Sequence, residues 1–116
     1  MFDTVLRGDT FPWSRALIIF SSDNGCSKAA KIPTLAKKGH IVSAGFRGSK
    51  ADLWDGGHRV PFILRWPGHA PAGSTSDQLF CLTDLFATVS DITGKAIPNV
   101  SAEDSVSFLP ALSGKP

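Results

Sequence analysis

The stretch Ala16-Leu17-Ile18-Ile19-Phe20-Ser21-Ser22-Asp23-Asn24-Gly25 decides the fold of this 116-residue chain. Its first five residues form an unbroken apolar run that includes β-branched side chains, which is typical of a strand covered on both faces in a parallel or mixed sheet. The run ends abruptly in polar residues. Ligands of open α/β sheets bind beyond the carboxyl ends of the strands. The stretch therefore predicts an α/β fold with a candidate site at residues 22–25.

Downstream of this strand, residues 26–58 show no sustained hydrophobic period and contain five glycines, which predicts a long and repeatedly turning loop. A second strand is expected at residues 60–66, closed by Pro67-Gly68 and followed by a polar turn at residues 71–74. Strands mixed with at least one helix favour an α/β architecture with helices flanking a mixed sheet.

One helix is predicted from Asp84 to Thr93, with Thr83 as its N-cap and Gly94 at its end. Asp84 is favourable in the first turn. A last helical turn around residues 108–112 is expected to be interrupted by Pro110. The helix carries an apolar stripe that the spacing assigns to the core, formed by Leu85, Phe86, Val89 and Ile92.

Asp23 and Asn24 place a carboxylate and an amide carbonyl side by side. Both are hard oxygen donors of the kind that calcium or magnesium prefers. The structural alternative is an Asn24-Gly25 hairpin turn, which needs no ligand. From these residues alone, both interpretations stay open.

Lys50 lies in a glycine-rich, bend-prone stretch where its ammonium group could hold an oxyanion, although a lone loop lysine is usually a surface residue. Arg47 and Arg59 could bind an anion, and the sequence favours instead their pairing with Asp52 and Asp55. The three histidines stand outside any helical metal motif and are expected to serve in loop packing, hydrogen bonding or turns; they are His40, His58 and His69.

Composition excludes several classes of protein. The net charge of +2 and the lysines without interleaved aromatic residues argue against a nucleic-acid partner. No apolar run approaches the roughly 20 residues that a membrane span needs. Cys26 and Cys81 form no CxxC pair or metal-finger spacing and do not fix the redox compartment.

Read in order, several motifs together resemble the later part of the sulfatase catalytic domain. The resemblance covers about residues 16–114 and rests on Ser22-Asp23-Asn24-Gly25, Arg47-Gly48-Ser49-Lys50, the run from Trp54-Asp55-Gly56-Gly57-His58-Arg59 through Trp66-Pro67-Gly68, Ser76-Asp77, and Thr83-Asp84-Leu85.

The resemblance implies a partial alkaline-phosphatase-like α/β fold and hydrolysis of sulfate esters at a calcium-assisted site. It assigns Asp23 and Asn24 to a pair of Ca²⁺ ligands, and Lys50 to substrate binding and catalysis through contact with the sulfate. The family attacks with a formylglycine made from the cysteine of Cys-x-Pro-x-Arg. Neither Cys26 nor Cys81 stands in that motif, so the nucleophile is expected in a region upstream of Met1, and the chain by itself is expected to be inactive.

This interpretation divides the chain into an irregular segment at residues 1–15 and the truncated C-terminal part of a catalytic domain at residues 16–116. The expected partner is a sulfate-ester small molecule or a sulfated glycan, with no nucleic acid and no membrane span. Two alternatives are kept: a phosphatase or phosphodiesterase of the same superfamily, and a non-catalytic module that binds an anion or metal. Compartment and oligomeric state are left open.

Overall fold

The computed structural model describes residues 13–98 and 101–113. The chain divides into two compact units. Residues Ile19–Leu64 form one unit, here called the loop unit, and the described residues on either side of it form the other, here called the helical unit. Within the described ranges, no helix is long and apolar enough to cross a membrane.

The two predicted strands are present and pair with each other in a two-stranded sheet, with β1 at Ile18–Ser21 and β2 at Phe62–Arg65. Both are short, at four residues each. The expectation that the first strand is covered on both faces is wrong for Phe20, whose side chain is 47% exposed. Among the described elements, the helices pack only against other helices and not against the strands. No described helix therefore covers the face of β1 that carries Phe20.

Residues 26–58 contain more helix than the sequence predicted. A 3-10 helix spans Lys28–Ala30, α1 spans Ile32–Lys37, and α2 spans Asp55–His58. Pro33 stands in the first turn of α1, where its missing N–H removes no helical hydrogen bond. These helices have six residues or fewer, too short to establish a hydrophobic period.

In the helical unit, α3 spans Asp84–Thr93 and ends at Gly94 with φ 65°, as the sequence predicts. The capping prediction is wrong, because Thr83 has helical backbone angles and makes no side-chain cap hydrogen bond. The last helix, α4, spans Leu109–Leu112 with Pro110 in its first turn. Proline therefore begins this helix instead of interrupting it.

The buried face of α3 is not the predicted apolar stripe. Asp84, Ala87 and Thr88 are buried, whereas Phe86 is 54% exposed and Val89 is exposed. Leu85, Phe86 and Val89 of this stripe line an open groove of about 590 Å³. Polar contacts decide which side of the helix faces inward.

Three side chains fasten α3 to the segment at residues 105–108. The Asp84 carboxylate accepts hydrogen bonds from the Val106 N–H at 2.9 Å and the Cys81 N–H at 2.7 Å. Thr88 Oγ1 accepts from the Phe108 N–H at 3.1 Å. The Ser105 hydroxyl accepts from one helix N–H and donates to the Thr83 carbonyl, so the segment is bound into the first turn of the helix.

Candidate functional site

The segment that follows β1 carries the two predicted metal ligands. Ser22 Oγ donates to the Asn24 carbonyl at 2.8 Å, and Asn24 Nδ2 donates to the Gly25 carbonyl at 3.1 Å. Neither Asn24 nor Gly25 has a positive φ, whereas a type I′ hairpin requires positive φ at both central residues. The hairpin alternative is therefore wrong, because these residues pack against other loops instead of turning back along β1.

The glycines at positions 25, 56 and 57 allow the backbones of three loops to pack directly against one another. A Cβ atom added to Gly25 would lie 1.9 Å from the Gly56 carbonyl oxygen, and one added to Gly56 would lie 2.3 Å from the Gly48 carbonyl oxygen. A Cβ atom on Gly57 would lie 2.1 Å from the carbonyl oxygen of Asp52. No other residue type fits these contacts. We call the packed segments 22–26, 47–52 and 54–58 the loop cluster.

Backbone hydrogen bonds tie the loop cluster together. The Gly25 N–H donates to the Gly57 carbonyl at 2.8 Å, and the Gly56 N–H donates to the Arg47 carbonyl at 2.7 Å. The Lys50 N–H donates to the Cys26 carbonyl at 3.0 Å. The main chain of Lys50 is thereby joined to a residue two positions after Asn24. The side chains of Lys50 and Asp23 are exposed, and Asn24 is half-buried.

Lys50 lies in a tight turn that the sequence did not identify. The Asp52 N–H donates to the Ser49 carbonyl at 2.9 Å, and Ala51 has φ 73°. A positive φ at the third of four residues is typical of a type II turn, in which this third position favours glycine. We call residues 49–52 the lysine turn.

The carboxylate of Asp52 closes the lysine turn. Asp52 Oδ2 accepts hydrogen bonds from the Ser49 N–H at 2.8 Å and from Ser49 Oγ at 3.1 Å. Ser49 is only 5% exposed. These two Ser49 hydrogen bonds, followed by the weaker attraction of Lys28, hold the pKa of Asp52 below its ordinary value. Asp52 is therefore an ionised, hydrogen-bonded carboxylate at neutral pH.

The two arginines behave differently. Arg59 Nη1 lies 3.7 Å from Asp55 Oδ2, so the predicted pairing is confirmed for this arginine. Arg47 instead places its guanidinium group 3.8 Å from the ring centre of Trp54. The partner of Asp52 is Lys28, at 3.4 Å, which corrects the predicted pairing. Planar guanidinium groups stack on aromatic faces, and Trp54 provides such a face.

Two histidines have the structural roles expected of them. The Nε2 atom of His58 lies 3.1 Å from the Leu53 carbonyl oxygen, and His69 stacks on Trp66 with ring centres 4.0 Å apart. The role of His40 stays a prediction. Cys26 and Cys81 are free thiols.

Asp23 and Asn24 offer the type of oxygen ligand that a hard divalent cation prefers, but they are too few to complete its coordination shell. Within the part of the chain that the structure describes, no hydrogen bond or ion pair engages the Asp23 carboxylate. The amide nitrogen of Asn24 is already used, which leaves its oxygen as the atom suited to a cation. Calcium takes six to eight oxygen ligands. Residues 13–98 and 101–113 contain no cluster of three or more His, Cys, Asp or Glu able to hold a metal, so these two residues could supply only part of a coordination shell.

Sequence reasoning missed the lysine turn and the contacts between glycines. The Ser49-x-x-Asp52 spacing was a usable signal, because serine and aspartate side chains bond to backbone groups two or three residues away. The glycines signalled turns, but their close approach to other loops depends on residues distant in sequence.

Comparison with known proteins agrees with the motifs. The family model described as Sulfatase matches residues 10–95. Steryl-sulfatase of Homo sapiens is 37% identical over 102 residues, which is 85% of this chain and 17% of the relative. N-acetylgalactosamine-6-sulfatase of Sus scrofa is 36% identical over 110 residues, covering 95% of this chain and 19% of the relative.

The structural comparison gives the same family. A solved sulfatase from a locus with which Bacteroides thetaiotaomicron metabolises multiple glycosaminoglycans matches with a TM-score of 0.69 and 30% identity, over 85% of this chain and 21% of that one. The chain thus spans about a fifth of the length of the proteins it matches. Its fold is part of the alkaline-phosphatase-like α/β fold of sulfatases, and the chain belongs to the sulfatase family.

Proposed function

We propose that this chain supplies one side of a sulfatase active centre, with Asp23 and Asn24 as two calcium ligands and Lys50 as the group that contacts the sulfate. The proposal is supported by the loop cluster, in which the Lys50 N–H is bonded to the Cys26 carbonyl at 3.0 Å. This bond links the loop that carries Lys50 to the segment that carries Asp23 and Asn24. Membership of the sulfatase family supports sulfate-ester hydrolysis as the general reaction.

In the proposed mechanism, the oxygen atoms of Asp23 and Asn24 would hold a calcium ion. A bound calcium ion supplies positive charge that stabilises the sulfate oxygens in the transition state. The ammonium group of Lys50 neutralises the charge that builds up on the leaving oxygen and can donate a proton to it. A lysine suits this role because its charge is compact and it carries three donors on a flexible stem.

The covalent step of the family uses a formylglycine derived from the cysteine of Cys-x-Pro-x-Arg. The cysteines of this sequence occur instead in Cys26-Ser27-Lys28-Ala29-Ala30 and Cys81-Leu82-Thr83-Asp84-Leu85. We therefore propose that the 116-residue chain has no sulfatase turnover by itself. Incubation of the purified chain with an aryl sulfate and calcium should release no more phenol than the Lys50→Ala variant does. Release above that control would contradict the proposal.

The partial metal site leads to a separate expectation. Because two protein ligands leave most of the coordination sphere to water, the chain should bind calcium only weakly, with a dissociation constant of about 1 mM or higher. Calorimetric titration of calcium chloride into the chain measures this. Asp23→Asn should abolish the heat signal, and Asp77→Asn is the matched control because it makes the same charge change in the helical unit. Equal signals from the two variants would exclude Asp23 as a ligand.

The two alternatives, a phosphatase or phosphodiesterase and a non-catalytic binding module, differ from a sulfatase in the anion they act on or in turnover. The relatives described above are sulfatases, which favours sulfate over phosphate. A non-catalytic binding module would bind sulfate or calcium tightly without turnover, whereas flat titrations with both would end that alternative.

A further inference from the structure

The lysine turn contains an energetic conflict next to the proposed sulfate contact. Ala51 has φ 73°, and an L-residue other than glycine is strained in this left-handed region. A strained residue persists only where its surroundings hold it in place. Here the surroundings are the Ser49 and Asp52 hydrogen bonds on both sides of Lys50 and Ala51.

Asp52 is unusually well placed to hold the turn. One of its carboxylate oxygens accepts from both the backbone N–H and the hydroxyl of Ser49, at 2.8 and 3.1 Å, while its own N–H returns a bond to the Ser49 carbonyl at 2.9 Å. Hydrogen bonds to an ionised carboxylate are stronger than those between neutral groups. Ser49 is buried, so water does not readily replace Asp52 as its partner.

The backbone of Asp52 is fixed as well. Gly57 packs so closely against the Asp52 carbonyl oxygen that a Cβ atom on Gly57 would lie 2.1 Å from it. Beyond the turn, the Lys50 N–H is bonded to the Cys26 carbonyl. The lysine therefore projects from a turn anchored on the loop that carries Asp23 and Asn24.

We propose that Ser49 and Asp52 are positioning residues that hold the strained lysine turn and thereby orient the Lys50 ammonium group toward the sulfate. This inference rests on the proposed role of Lys50. The Asp52 carboxylate would assist anion binding by holding the turn in shape, although its negative charge repels an anion.

The charge effect and the positioning effect of Asp52 therefore predict opposite changes in sulfate affinity. Replacing Asp52 by alanine removes a negative charge two residues from Lys50, and Coulomb attraction alone would then strengthen sulfate binding. If Asp52 acts by positioning, the same change frees the turn and weakens sulfate binding. We expect Asp52→Ala to lower the sulfate affinity of the full chain roughly threefold to tenfold, which is about the net contribution of one ordinary hydrogen bond.

The measurement is a sodium sulfate titration of the full chain followed by the NMR signals of Lys50, with amide exchange of the Lys50 N–H recorded on the same samples. Asp52→Ala should speed this exchange, because the turn no longer holds the N–H against the Cys26 carbonyl. The double variant Ala51→Gly, Asp52→Ala should regain most of the sulfate affinity, since glycine adopts positive φ without strain. Asp55→Ala is the matched control, because it removes a neighbouring exposed carboxylate that bonds Arg59.

The outcomes separate this inference from the proposed function. Equal sulfate affinity in the wild-type chain and in Lys50→Ala would refute the proposed role of Lys50, and the positioning of that contact with it, whatever the exchange rates. A loss of affinity in Lys50→Ala but not in Asp52→Ala would overturn the positioning role alone. Unfolding of Asp52→Ala, seen as a collapse of amide dispersion, would move the test to Ser49→Ala, which removes only the hydroxyl bond and should still weaken sulfate binding about twofold. Unchanged binding by folded Ser49→Ala would then overturn the inference.

Discussion

Single atoms decide the geometry of the loop cluster. The hydrogen atom on Gly25 occupies the space where any side chain would strike the Gly56 carbonyl. This glycine does not have a positive φ, so its role is close backbone approach and not conformational freedom. The same holds for Gly56 and Gly57, which lie against Gly48 and Asp52.

Gly25→Ala should therefore be among the most damaging single changes in the loop unit. Because the added Cβ atom would lie 1.9 Å from a backbone oxygen, the loops must separate, and we expect a loss of about 3 kcal/mol in the free energy of unfolding. Urea denaturation measures it. Gly73→Ala is the control, since Gly73 has a φ of 73° but open space around it, and its cost should be only about 1 kcal/mol. Similar losses for the two variants would contradict the steric explanation.

Helix α3 shows that polar anchors, and not the apolar stripe, determine how an element is oriented. The helix boundaries follow from local signals, because Asp84 suits the first turn and Gly94 adopts the left-handed conformation that ends it. The inward face is selected by Asp84 and Thr88, which bond the N–H groups of Val106 and Phe108. These partners lie about twenty residues away in sequence, and no helical period encodes them.

Thr88 within this helix and Thr83 just before it test the polar anchors. Thr88→Val should lower the free energy of unfolding by about 2 kcal/mol, because it removes the buried hydroxyl that accepts a hydrogen bond from the Phe108 N–H. Thr83→Val makes the same chemical change at an exposed residue without a capping bond and should cost under about 0.5 kcal/mol. Thermal denaturation of both variants compares them directly. If Thr83→Val lowered the free energy of unfolding more than Thr88→Val does, the result would support Thr83 as the N-cap.

The acid stability of the helical unit should depend on Asp84. Hydrogen bonds from the Val106 and Cys81 N–H groups hold the pKa of Asp84 below its ordinary value in the folded protein. The stabilisation is therefore present above about pH 4 and is lost as the pH falls through the folded-state pKa.

Asp84→Asn should lower stability at neutral pH and flatten its decline below about pH 4. Urea titrations between pH 2 and 7 provide the measurement, with Asp104→Asn as an exposed control that should retain the decline. An unchanged decline in Asp84→Asn would show that other carboxylates produce it.

At the scale of the molecule, residues 13–98 and 101–113 enclose little apolar surface. Among the described residues, the buried apolar side chains are Ala87 and Phe108, and Phe108 lies against Phe80 with ring centres 4.8 Å apart. Phe86 and Val89 line an open groove instead. Exposed apolar grooves of this kind bind hydrophobic dyes and favour association.

The contrast between two phenylalanines checks this arrangement. Phe108→Ala should lower the free energy of unfolding by about 3 kcal/mol, because Phe108 is only 4% exposed. Phe86→Ala should change stability by less than about 1 kcal/mol and should reduce binding of a fluorescent hydrophobic dye. Dye fluorescence and urea midpoints on the same samples distinguish the two sites. A stability loss at Phe86 equal to that at Phe108 would mean that the stripe is part of the core.

The sequence by itself determined the two strands, helix α3 with its glycine stop, the family, and Asp23, Asn24 and Lys50 as candidate site residues, whose roles stay predictions. These follow from local patterns: apolar runs, turn residues, and motifs whose order is printed in the chain. Only the tertiary structure decided that Gly25, Gly56 and Gly57 pack between loops, that Asp52 closes the lysine turn, and that Asp84 and Thr88 turn α3 inward. Each of these depends on atoms that chain folding brings together. Because nearly every residue carries the same backbone carbonyl and N–H groups, the sequence does not show which of them a distant residue will contact.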